Sequence, residues 1–125
     1  MLNDTICAIS TALKDGAISI VRMSGEDSFS IIKSITHIKD IKPNTIVYSH
    51  IYDKDEMVDE VLVSFFAKEQ SYTNEDMVEI NCHGGIYVTR LILNILLEKG
   101  CRLAEPGEFS KRAYLNGRID LSEQR

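Results

Sequence analysis

Two β-rich runs in the middle of the chain, residues 45–52 and 58–66, are separated by little more than the acidic turn Asp53-Lys54-Asp55-Glu56. A parallel pair needs a crossover of a dozen residues or more, so a connection this short forces the two runs into an antiparallel hairpin. A third run, residues 77–83, alternates in the same way after the polar loop 68–76. The sheet is therefore built largely from neighbours in sequence, and its helices must find room around it.

The flanking segments supply the rest. Residues 5–11 carry β-branched and small side chains without helical spacing and read as a strand. After the Asp15-Gly16 turn signal, residues 17–23 read as a second strand, apolar on both faces. Ser24 and Asp27 have the spacing of a capping box, and Phe29, Ile32 and Ile35 recur at helical intervals behind it, giving a helix to about Thr36. Residues 40–44 connect it to the hairpin. Gly84-Gly85 opens a longer helix in which Val88, Leu91, Ile92, Ile95 and Leu96 form an apolar stripe, closed at Gly100. Residues 101–104 have room for a short strand, and Pro106-Gly107 begins a short helix ending near Asn116-Gly117. The order β-β-α-β-β-β-α plus a short helix predicts an α+β fold, a mixed β-sheet with helices on one side. Asp120 and Glu123 repeat the capping-box spacing and announce a further helix. The expected division is a domain over residues 1–119 and the start of the next, helical domain at 120–125.

At 125 residues the chain is large enough to build a core without a metal or disulfide staple. Three cysteines, Cys7, Cys82 and Cys101, are odd in number and far apart, which argues against a disulfide framework and against paired zinc ligands. The most apolar stretches are far short of a membrane span, no secretory signal is visible, and a reducing cytoplasmic compartment is expected. A net charge of -5 argues against a generic polyanion-binding surface. Residues 1–100 hold nine bases and fifteen acids, whereas residues 101–125 hold five and four, so an anion site should be local and assembled late in the chain.

Several chemistries are excluded by their motifs. There is no G-x-x-x-x-G-K-[ST] phosphate loop and no G-x-S-x-G elbow. Cys82 and His83 are strand neighbours on opposite faces and cannot act as a nucleophile pair. The acidic turn fails as a calcium loop, with Met57 and Val58 where an oxygen ligand and glycine belong. Three features remain. Arg22 shares a strand face with Ile18 and Ile20, where a guanidinium must meet a carboxylate or a ligand. Glu79 lies on the face of Met77, Asn81 and His83; as an acceptor-only carboxylate it suits an arginine or a heterocycle edge offering adjacent N–H and NH₂ donors. Glu105-Pro106-Gly107-Glu108-Phe109, followed by Lys111, Arg112 and Arg118, combines a tight turn with local basic charge, either to hold an anionic tail or as a solvated helix face.

These residues also carry a resemblance. Asp4-Thr5-Ile6 with Ala8, the run Ile20-Val21-Arg22-Met23-Ser24-Gly25 and the run Ser71-Tyr72-Thr73-Asn74-Glu75-Asp76-Met77-Val78-Glu79-Ile80 resemble the N-terminal domain of the MnmE/TrmE tRNA-modifying GTPases. So do Cys82-His83-Gly84-Gly85, Leu103-Ala104-Glu105-Pro106-Gly107-Glu108-Phe109-Ser110 and Arg112-Ala113-Tyr114-Leu115-Asn116-Gly117-Arg118-Ile119-Asp120-Leu121, in register from residue 4 to 122. The resemblance implies a fold similar to the tetrahydrofolate-binding domain of the glycine-cleavage T protein. It implies a homodimer formed through this domain, and 5-formyl-tetrahydrofolate as ligand, with contacts at Arg22, Glu79 and Arg118. It implies that the full-length protein, with an MnmG-like FAD protein, modifies the wobble uridine of tRNA at C5, while GTP, Mg and K belong to a separate G domain. Two departures stand out. Arg118 occupies a position that is usually Lys, which keeps the charge and changes the donor geometry. The loop Thr11-Ala12-Leu13-Lys14-Asp15-Gly16 lacks the Pro- and Gly-rich pattern typical there. The alternative reading is a dimerisation scaffold that binds no ligand.

Overall fold

The computed structural model describes residues 4–10 and 18–117. The elements run β1 (Ile6–Ile9), β2 (Ser19–Ser24), α1 (Ser28–Ser34), β3 (Thr45–Asp53), β4 (Glu56–Phe66), β5 (Met77–Cys82), α2 (Gly85–Glu98), β6 (Arg102–Leu103) and α3 (Glu108–Leu115). They form one six-stranded sheet in the order β3-β4-β5-β2-β1-β6. The β3–β4 hairpin is antiparallel as its short turn requires, β4–β5, β5–β2 and β2–β1 are also antiparallel, and only β1–β6 is parallel. This is the expected mixed α+β sheet, and the short strand expected after α2 forms its edge.

Strand alternation divides the sheet into two faces. Cys7, Val21, Met23, Val61, Val63, Phe65, Val78, Ile80 and Cys82 point to one side, where Ile31 and Ile32 of α1 and Ile92, Ile95 and Leu96 of α2 close over them. Each such aliphatic side chain, fully buried, contributes roughly 1.5–3 kcal/mol. Phe29 meets Phe65 edge-on, with ring centroids 5.9 Å apart, and fastens α1 to β4. The other face carries Arg22 and Glu79. The short α3 approaches that second face through Phe109, whose ring lies under the Arg22 guanidinium.

The Ser24–Asp27 capping box does not form. Ser24 is the last residue of β2 and fully buried, and its hydroxyl is engaged by Thr73 (2.6 Å) and Glu75 (2.8 Å) instead. The helix starts at Ser28, with Asp27 as its flanking residue and no side-chain cap. The Asp27 backbone N–H is instead satisfied at 3.0 Å by Thr5 Oγ1, twenty-two residues away and just ahead of β1. Gly25 makes that approach feasible. It sits at φ 142°, and a Cβ there would lie 2.6 Å from the Thr5 backbone. The Asp15-Gly16 turn, the loop 11–16, the boundary at 119/120 and Arg118 lie outside the described residues.

Candidate functional site

β2 and β5 are far apart in sequence but adjacent in the sheet, and their register sets Arg22 directly opposite Glu79. Arg22 Nε donates to Glu79 Oε2 at 2.8 Å, and its Nη2 lies 2.7 Å from the same oxygen. The two side chains remain 29% and 21% exposed. Both contacts fall on Oε2, and Oε1 has no hydrogen-bond partner among the described residues. The pair forms one wall of a cleft of about 410 Å³, completed by Phe66, Gln70, Tyr72 and Met77. That volume is within the usual range of small-molecule sites, roughly 300–1,000 Å³. The cleft thus joins an acid–base pair to aromatic and thioether walls.

Sequence reasoning identified Arg22 and Glu79 separately, and the structure brings them together. Met77 was legible as a residue on Glu79's face. Phe66, Gln70 and Tyr72 carried no site signal, because the loop 68–76 that supplies two of them reads only as polar. His83 does not line this cleft. It is exposed at the end of β5, donates its backbone N–H to Asp59 Oδ2 (3.2 Å), and lines a separate hollow with Tyr48 and Leu62.

Arg112 is neither on a solvated helix face nor available to an anionic ligand. It is 1% exposed and anchors α3. Its Nη1 donates to the Asp4 carbonyl (2.6 Å) and to both Glu75 carboxylate oxygens (3.2 Å each), and its Nη2 to the Asp4 carboxylate. Arg102 completes the cluster, donating from Nε to Asp4 Oδ2 (2.6 Å) and pairing with Glu108 Oε2 (2.5 Å). Glu108 Oε1 also accepts the Glu105 backbone N–H at 2.9 Å, so the Glu105-Pro106-Gly107 turn is wound around a carboxylate. Lys111 stays exposed.

The charges shift accordingly. Arg102 is the main cause holding Asp4 down to about 2, and Arg112 adds to it. Arg102, with the Glu105 N–H, likewise holds Glu108 down to about 2. The Glu108 and Asp4 carboxylates in turn raise Arg102 above its ordinary value. Asn116 Nδ2 donates to the Thr73 carbonyl (3.0 Å) and Asn74 Nδ2 to the Asn116 carbonyl (2.9 Å), tying the end of α3 to the loop before β5. The Tyr72 hydroxyl meets Ser110 Oγ at 3.1 Å. The network thus fastens α3 and the 71–76 loop beside the cleft. Among the described residues no cluster of three His, Cys, Asp or Glu could hold a metal ion, and no helix is long and apolar enough to cross a membrane.

Residues 5–118 match the family described as GTP-binding protein TrmE N-terminus. The chain is 55% identical over 131 residues to a tRNA modification GTPase MnmE of Thermoanaerobacter sp., covering 98% of this chain and 28% of the relative. It is 54% identical to the MnmE of Lactococcus lactis subsp. cremoris (96% and 27%) and 48% identical to that of Lachnoclostridium phytofermentans (98% and 28%). The chain spans little more than a quarter of the length of these curated relatives.

Proposed function

Because this chain belongs to the family of TrmE N-terminal domains, we propose that it binds a reduced one-carbon folate, 5-formyl-tetrahydrofolate, in the cleft beside Glu79. The observation that carries this reading is the Glu79 carboxylate at the cleft wall, with Oε2 held by Arg22 and Oε1 open. A carboxylate in that position accepts the ring N–H and 2-amino group of a pterin. Arg22, and Arg118 outside the described residues, supply guanidinium donors for the formyl oxygen or the glutamate-tail carboxylates. In the full-length, cytoplasmic protein the domain pairs with a second copy and, with an MnmG-like FAD protein, supports C5 modification of the tRNA wobble uridine. GTP hydrolysis with Mg and K belongs to a separate G domain of the full-length protein.

One observation favours a second reading, a dimerisation scaffold without ligand: Arg22 already neutralises Glu79, so the pair is complete on its own. Titration calorimetry separates the two. The folate reading expects heat from 5-formyl-tetrahydrofolate with the wild-type chain, and an affinity weaker by about 1–3 kcal/mol in Glu79→Ala, where the ligand's donors are stranded. Equal affinities dismiss the site. No heat at all, with a dimer in sedimentation, selects the scaffold.

A further inference from the structure

We propose that Phe109 is a positioning residue for the cleft: its ring fixes the Arg22 guanidinium so that Arg22 engages one oxygen of Glu79 and leaves the other for a ligand. The inference rests on the folate reading above and assigns to α3 a part in it. The Phe109 ring centroid is 5.6 Å from Arg22 Cζ, inside the roughly 6 Å over which a ring face attracts a cation. Arginine and carboxylate left to themselves favour a parallel two-oxygen fork. Here both Arg22 contacts converge on Oε2, at 2.8 and 2.7 Å. A fork would engage both oxygens, whereas the two donors of a pterin edge need Oε1 free and the remaining lone pair of Oε2. The ring beside the guanidinium is the contact in place to hold the one-oxygen arrangement.

The ring itself is firmly presented. Arg112, three residues on, is buried against Asp4 and Glu75 and prevents α3 from shifting. Ser110, the next residue, bonds the Tyr72 hydroxyl at 3.1 Å, and Tyr72 is another wall of the same cleft. Two consecutive residues of α3 therefore touch two different cleft residues.

The test compares Phe109→Leu, apolar but without a ring face, with Phe109→Tyr, which keeps the ring. In the ¹⁵N-labelled chain the Arg22 Nε–H resonance reports the pin without any ligand. It should be ring-shifted and slow to exchange in the wild type and in Phe109→Tyr, and should lose both properties in Phe109→Leu. In calorimetry with 5-formyl-tetrahydrofolate, Phe109→Leu should bind about three- to fivefold more weakly, the worth of one partly exposed cation–π contact, and Phe109→Tyr should recover wild-type affinity. An Arg22 resonance unchanged in Phe109→Leu overturns the proposal, as does affinity lost equally in both variants. Wild-type protein giving no heat overturns the folate reading instead, while the resonance still decides whether Phe109 holds Arg22.

Discussion

Replacing Arg112 by methionine removes a guanidinium from one of the least accessible positions in the molecule and leaves its partners behind. Glu75 loses a donor to each carboxylate oxygen, and Asp4 loses donors to both its carbonyl and its carboxylate. Breaking a buried ion pair by deleting one partner costs about 3–5 kcal/mol, and here the stranded charge is Glu75, left with the Ser24 hydroxyl alone, while Asp4 keeps Arg102. A domain of 125 residues has about 5–15 kcal/mol of stability in total, so the loss is a large share of it. Unfolding entropy near 60 °C is about 2.1 cal/mol/K per residue, or about 0.26 kcal/mol/K for this chain, which converts the loss to a fall in Tm of about 11–19 °C. Calorimetric melting at pH 7 measures it. The deficit should narrow as pH falls toward 3, because Asp4, with one guanidinium fewer to hold it down, takes up its proton sooner in the variant than in the wild type. A loss under 1 kcal/mol, or one indifferent to pH, would refute the reasoning that this cluster anchors α3.

Other outcomes follow from the same contacts. Asp4 and Glu108 are both held down to about 2, below their ordinary values near 4, so their contribution is complete above about pH 4.5 and is lost as pH falls toward 2. Discounted for solvent exposure, Glu108 accounts for about 1–2 kcal/mol of it; urea midpoints that do not fall between pH 5 and pH 2.5 contradict the assignment. Gly25→Ala forces a Cβ to within 2.6 Å of the Thr5 backbone at φ 142° and should cost about 2–4 kcal/mol, whereas Gly85→Ala at φ 88°, with nothing within 4 Å, should cost only about 1–2 kcal/mol. Similar urea midpoints for the two variants would show that the contact with Thr5 is relaxed in solution. Burial, with Asp59 nearby, pushes the Cys82 thiol up to about 12, and Cys7 and Cys101 are buried too. Thiol reagents at pH 8 should therefore label the native chain no faster than it unfolds.

What could be read in the sequence was local. The hairpin followed from the length of its turn, α2 from its stripe, and the strand face of Glu79 from alternation. The pairing of Arg22 with Glu79 was not legible, since it depends on β5 lying beside β2 rather than on anything within either strand. Arg112 was misjudged for the same reason. Helical spacing describes its own turn, whereas the acids that bury it are Glu75, thirty-seven residues away, and Asp4, one hundred and eight away. Its spacing of four from Glu108 was the one local hint, and the two are 3.6 Å apart. Ser24 shows the reverse error: a local capping pattern was present, and buried long-range partners claimed the hydroxyl. The family motifs mark these convergence points, since Asp4, Ser24, Thr73, Glu75 and Arg112 all fall within them and meet in one cluster.

The most direct measurement is an amide chemical-shift map of the ¹⁵N-labelled chain titrated with 5-formyl-tetrahydrofolate. Saturable shifts centred on Arg22, Gln70, Tyr72, Met77 and Glu79, with the Lys54-Asp55 hairpin turn unmoved, are the predicted result. Shifts that avoid β2 and β5, or a spectrum unchanged at millimolar ligand, would contradict a folate site in this cleft.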